Sequence, residues 1–197
     1  MVAGTGSIAM RARAGNAPTA IRTAISESEM PMPAATLDLS ELTSPRIHRL
    51  HAYWQHQRDK RGGQLPRRGD IAPDQIRDLL PNIMIVDVER DPMRFRYRLV
   101  GTRVVEYNGV EFTGRYLGEI GWPEEQDLID SYAFVANSRQ PFFGLLAWEL
   151  VTGAVGRCEF VRLPLSEDGE LVSQILAMED YDFPQIDATP SGGGTTR

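Results

Sequence analysis

The sequence predicts an α+β fold in which helices pack on one antiparallel sheet, and two observations carry that prediction. The first is the stretch 81–101, PNIMIVDVERDPMRFRYRLVG, which reads as two strands joined by a tight turn. Ile83, Met84, Ile85, Val86 and Val88 form an apolar run rich in β-branched residues. Asp91-Pro92 supplies the turn, because proline fixes φ and has no N–H donor. Phe95, Tyr97 and Leu99 then alternate with Arg94, Arg96 and Arg98, and a period of two puts one face in the core and the other in water. The second observation is the order of elements: a helix, two strands, small helices, a long helix, then three strands. Hairpin-length connections make neighbouring strands antiparallel and leave the helices to pack on one side.

A chain of 197 residues that is 42% apolar fits one domain with tails. No apolar run approaches the roughly 18 residues of a membrane span. The single cysteine, Cys158, excludes an internal disulfide and a cysteine-rich zinc site. Without a secretory apolar segment, the expected location is the cytoplasm. A net charge of −6 argues against a nucleic-acid partner. The charge is also uneven. Residues 41–72 carry seven basic and three acidic groups, and the residues after 72 carry eleven and twenty-one. A basic N-terminal segment therefore precedes an acidic body, and is expected to dock on that body or on a second copy. An acidic partner is the alternative.

Residues 1–43 are expected to be a disordered leader, since they hold few large apolar groups. Met30 and Met32 are alternative starts within it. Ser44-Pro45 caps a helix over 45–61, with Ile47, Leu50, His51 and Trp54 on one stripe and Gly62-Gly63 at its end. The segment LPRRGDIAPDQIRDLLP holds a short helix opened by Pro73 and stopped by Pro81. After the two-strand ribbon, Thr102 to Asn108 reads as a helical piece ended by Asn108-Gly109. A longer helix runs from Pro123 to about Ser138, with Leu128, Tyr132 and Val135 at helical spacing. Strands are expected over 141–152, 155–165 and 171–181, and a loose tail over 184–197.

The segments PRRGDIAPDQIRDLLP, FRYRLVGT and EFTGRYL, in this order, resemble a bacterial PAS subfamily often found as single-domain proteins. Its pattern is P-x-R-x-D-I-x-P, L-L-P, Y-R-L-x-G-T and a T-G-R turn. The resemblance covers about Arg46 to Phe183, within a domain expected over 44–183. It implies a five-stranded sheet of order 2-1-5-4-3, with small helices on one face enclosing a cavity and an N-terminal amphipathic helix. It makes Arg68, Asp70 and Pro73 structural motif positions without a catalytic role. It also implies a sensory module that dimerises or binds a signalling protein partner. In such domains the N-terminal helix often forms the dimer, which here points to Ile47, Leu50, His51 and Trp54. No kinase, cyclase or DNA-binding segment is expected in the chain.

The residues offer little conventional chemistry. Haem-binding PAS domains usually present a histidine on the long helix, whereas His48, His51 and His56 all lie in the N-terminal helix. Flavin photochemistry in the family uses a helical cysteine in N-C-R-F, while Cys158 falls on an expected strand. No haem, flavin or metal is therefore expected. Asp70, Asp74 and Asp78 sit among Arg67, Arg68 and Arg77 and read as caps and salt bridges. No nucleophile–base pair or phosphate loop is visible, so no catalytic residue is assigned and a small α+β enzyme is the least favoured reading. The alternative to association is a small-molecule sensor. Its aromatic cavity would be lined by Tyr97, Leu99, Tyr107, Trp122, Phe134, Phe142, Leu146, Trp148, Cys158, Phe160 and Arg162. An inward Arg162 needs a counter-charge or an anionic ligand, unless a strand twist returns it to water.

Overall fold

In the computed structural model the described residues are 37–122, 125–149 and 155–182, with 147–149, 155–156 and 182 described by backbone alone. The leader before 37, the tail after 182 and the side chain of Trp148 lie outside them.

The ribbon forms as two paired strands, β1 (Ile83–Glu89) and β2 (Arg94–Val100). Three further strands follow: β3 (Phe142–Glu149), β4 (Val155–Leu165) and β5 (Gln174–Asp182). They make one antiparallel sheet of order β2-β1-β5-β4-β3. The last strand starts at Gln174 because the polar turn before it is longer than SEDGE. Asp168 Oδ1 accepts from the amides of Glu170 and Leu171, each at 2.8 Å, which holds that stretch out of the ladder.

Three helices flank the sheet: α1 (Pro45–Lys60), α2 (Thr102–Asn108) and α3 (Glu125–Ser138). In α1 the Ser44 hydroxyl accepts from the Ile47 amide at 3.2 Å, and Pro45 opens the first turn. Gly109, at φ 67°, ends α2 in the left-handed region that glycine enters at little cost.

The register sorts the side chains by face. Phe142, Phe160, Arg162 and Ala177 share one face with Tyr97 and Phe95, and this face lies under α3. Phe143, Val161, Leu176 and Ile85 share the other, and α1 lies on it. So the helices do not all pack on one side: α1 takes the opposite face from α3.

The apolar stripe of α1 is consumed by that packing. Ile47, Leu50 and Trp54 are each 0% exposed. The Trp54 indole N–H donates to the Pro164 carbonyl at 3.0 Å, and the His51 ring meets Phe143 edge-on at 5.4 Å. The expectation that this stripe is the surface for a second copy is therefore corrected. An amphipathic helix needs a cover for its apolar face, and here the protein's own sheet provides it. The basic segment docks on the acidic body in the same way, through Arg46–Asp180 at 2.9 Å and Arg49–Asp78 at 2.5 Å.

The folded part also begins before the expected boundary at 44. The Leu37 amide donates to the Phe143 carbonyl at 3.0 Å, and Leu42 is buried. The Glu159 carboxylate accepts from Thr43 N, Thr43 Oγ1 and Ser44 N within 3.0 Å. These bonds hold its pKa below the usual carboxylate value although burial pushes the other way.

Candidate functional site

The α3 face of the sheet was the expected lining of a cavity, and it gathers most of the predicted residues. Tyr97, Phe142, Cys158, Phe160 and Arg162 are all buried there. The rings touch one another: Phe142 and Phe160 stack at 6.0 Å, Phe134 lies 5.8 Å from Phe142, and Trp122 lies 6.4 Å from Tyr97. Tyr107 on α2 meets Tyr181 in a tilted contact at 4.2 Å.

Arg162 is the polar centre of this face and is 3% exposed. Its guanidinium carbon lies 4.2 Å from the Phe160 ring centre, 4.5 Å from that of Tyr132 and 5.7 Å from that of Phe142. Such cation–ring contacts offset part of the cost of burying the charge. Its Nε and Nη1 have no hydrogen-bond partner. Glu179 shares the face, two residue pairs along the β4–β5 ladder, where it pairs with Phe160. Burial holds its carboxyl above the usual range, while the Tyr181 hydroxyl that donates to it and the charge of Arg162 pull back down. Burial likewise raises the Tyr97 and Tyr132 hydroxyls and the Cys158 thiol, so all three stay protonated.

Two predicted members leave the group. Leu146 keeps its place in the register, opposite Cys158, but is 41% exposed. Leu99 changes face. β1 and β2 pair as Val86↔Tyr97 and then Ile85↔Leu99, so Arg98 is an extra residue in β2. This bulge turns Leu99 onto the α1 face, where it is 43% exposed. Glu179, Tyr181 and Phe112 belong to the aromatic group but were missed. The alternation Ile175, Ala177, Glu179, Tyr181 on β5 was the available signal for the first two.

The predicted motif residues gather on the α1 face. Short 3-10 turns over Arg68–Asp70, Pro73–Ile76 and Leu80–Asn82 run beside α1. Asp70 caps the first, accepting from the Arg67 amide at 2.8 Å, and pairs with Arg61 at 3.4 Å. Arg68 Nη1 donates to the Ile71 carbonyl at 3.3 Å. A side chain at Gly101 would put its Cβ 2.3 Å from the Pro81 carbonyl oxygen, so only glycine lets the end of β2 meet the last turn.

Two clefts open on this side. An apolar one of about 390 Å³ lies between the turns and strands β1, β2 and β5. A polar one of about 430 Å³ adjoins it at Arg68 and is lined by Asp87, Glu89, Arg96 and Arg98. Arg96 pairs with Asp87 at 2.9 Å, and Arg98 lies 3.6 Å from the same carboxylate.

The one cysteine thus sits on β4, and the three histidines sit on α1, across the sheet from α3. Burial, then the neighbouring His48, lowers the His51 pKa. Among the described residues, no three histidine, cysteine or acidic side chains are grouped to hold a metal. Among the same residues, no helix is long and apolar enough to cross a membrane.

Together these features define a small α+β domain that holds a charged group inside an aromatic shell. The model of the PAS domain matches residues 42–178, and the chain belongs to the PAS-domain family. Domains of this family are generally sensory, non-catalytic modules, so the chain is read as a sensory signalling domain. No protein of curated function matches it. Among solved structures it is similar to a light-oxygen-voltage domain from work with a flavin analogue, at 13% identity over 56% of this chain and 83% of that one, TM-score 0.41. It is also similar to the PAS domain of a protein from Colwellia psychrerythraea, at 13% identity over 54% and 93%, TM-score 0.37. A third is the PAS domain of an HTR-like protein from Haloarcula marismortui, at 20% identity over 55% and 90%, TM-score 0.33.

Proposed function

We propose that this PAS domain is a non-catalytic cytoplasmic module that signals by association, through dimerisation or a protein partner. The observation that supports this is the bare strip on the α1 face at edge strand β2. There α1 does not reach, and the bulge presents Leu99 beside an apolar cleft. An exposed apolar strip next to a charged rim is a common form of contact surface. The test is the molar mass of the protein by light scattering across a range of concentrations. Wild type should gain mass with concentration, alone or with its partner, and Leu99→Asp should not. Equal masses for the two proteins at every concentration, without and with a cell extract, count against the reading.

A second reading, a small-molecule sensor, is favoured by Arg162. A buried guanidinium with two nitrogens lacking acceptors is costly, and an anionic ligand on the α3 face would relieve that cost. Native mass spectrometry of protein purified from cells should then show an added mass that Arg162→Met removes. A bare polypeptide mass in both proteins opposes it.

A further inference from the structure

The apolar cleft on the α1 face has features that a contact strip alone does not need. Its volume, about 390 Å³, falls in the range of about 300–1,000 Å³ typical of small-molecule sites. Ile71, Ile76, Ile85 and Leu176 lie buried beneath it, while Leu99, which is exposed, and the half-buried Leu80 and Val100 form its open surface. The backbone closes one end, where Gly101 meets Pro81. Among the described residues, the charged ones on its lining are Arg68 and Arg77; the Glu167 carboxylate accepts from the Arg68 amide at 3.1 Å on the side of the polar cleft. Arg77 is exposed and makes no side-chain hydrogen bond or ion pair among the described residues. Arg68 has one nitrogen committed to the Ile71 carbonyl.

An apolar trough with an unpaired cation, Arg77, at its edge selects an amphiphile with a negative head. Guanidinium groups match the planar fork of a carboxylate. One free arginine and one partly committed arginine balance a single negative charge better than a phosphate dianion. We propose that this cleft binds an aliphatic carboxylate, with its chain along Leu99, Val100 and Leu80 and its head at Arg68 and Arg77. The site lies across the sheet from the aromatic group around Arg162. It deepens the contact reading, because the bound chain would cover Leu99 and so connect a ligand to the strip that meets a partner.

The test is isothermal titration of the intact protein with octanoate, 1-octanol and acetate. Octanoate should bind saturably at one site, and acetate should not bind. 1-Octanol should bind at least about tenfold more weakly, the value of one charged hydrogen-bonding partner. Arg77→Gln, at an exposed position, should weaken octanoate by about the same factor. Leu99→Asp should abolish binding, and Arg162→Met should leave it unchanged. Thermal melts monitored by circular dichroism establish that each variant is folded. The proposal is overturned if octanoate does not saturate, if 1-octanol binds as well, or if Arg77→Gln has no effect. It is also overturned if Arg162→Met removes binding, which would put the ligand on the other face. A dimer that Leu99→Asp dissociates but octanoate does not enter would mean that a second copy covers the cleft. That outcome ends this proposal and leaves the contact reading standing. Octanoate binding to a protein whose mass Leu99→Asp does not change has the opposite meaning.

Discussion

Replacing Trp54 tests the packing on which both faces depend. Its indole is 0% exposed between α1 and the sheet, and its N–H is the donor to the Pro164 carbonyl. Removing a buried tryptophan side chain costs about 3–5 kcal/mol in lost burial and cavity. Leaving a carbonyl without its donor adds about 1–3 kcal/mol. A domain of this size is stable by about 5–15 kcal/mol, so Trp54→Ala should lose about a quarter or more of the total and can unfold the weakest case. Trp54→Phe keeps most of the ring and loses the donor, so its cost should stay near the carbonyl term, about 1–3 kcal/mol. Urea unfolding followed by far-ultraviolet circular dichroism measures both. The comparison should be run at two protein concentrations tenfold apart. If the stripe were covered by a second copy, the midpoint would shift with concentration. Such a shift, or a loss below about 1 kcal/mol for Trp54→Ala, refutes the docking of α1 on its own sheet.

Two other expectations follow from named contacts. Gly101→Ala would drive a Cβ to 2.3 Å from the Pro81 carbonyl oxygen. Both groups are backbone, so the end of β2 must shift, and the loss should exceed about 2 kcal/mol in thermal melts; an unchanged melt means that the close approach is wrong. Glu159 has a lowered pKa in the folded state, so its contribution is present above its unfolded value and is lost as pH falls through the folded one. Glu159→Gln should cost about 1–3 kcal/mol at pH 7, and the gap to wild type in urea midpoints should close as the pH is taken below about 4. A gap that persists in acid shows that the carboxylate charge is not what holds Thr43 and Ser44.

The sequence made some of this plain and hid the rest for physical reasons. Alternation on β4 placed Cys158, Phe160 and Arg162 on one face, because a strand offers only two sides. The α1 stripe was equally readable, but periodicity tells which side of a helix is greasy and not what covers it. Trp54 therefore looked like a surface for a partner. Leu99 was misplaced because strict alternation assumes regular pairing, and one extra residue in β2 reverses every side chain beyond it. The cleft was invisible for a different reason. Its lining comes from residues 68–81, 83–85, 99–102 and 176, which only the topology brings together.

The bulge also explains why the two faces of the sheet differ so much. Without it, Leu99 would sit opposite Met84 and join the aromatic side, and the Ile85 side would lose its outermost apolar group. With it, the α3 face gathers two ionisable groups, the buried Arg162 and the half-buried Glu179. The α1 face is left with an uncovered apolar edge bordered by arginines. Strand β5 then joins the two. Glu179 points to the aromatic side, while the next residue, Asp180, accepts from the Ser44 hydroxyl at 2.5 Å and from Arg46 at 2.9 Å on the α1 side. One peptide unit thus separates the Glu179 carboxyl from the contacts that seat the first turn of α1. A shift of β5 large enough to relieve the unpartnered nitrogens of Arg162 must therefore be felt at Ser44, since β-strand neighbours cannot move independently.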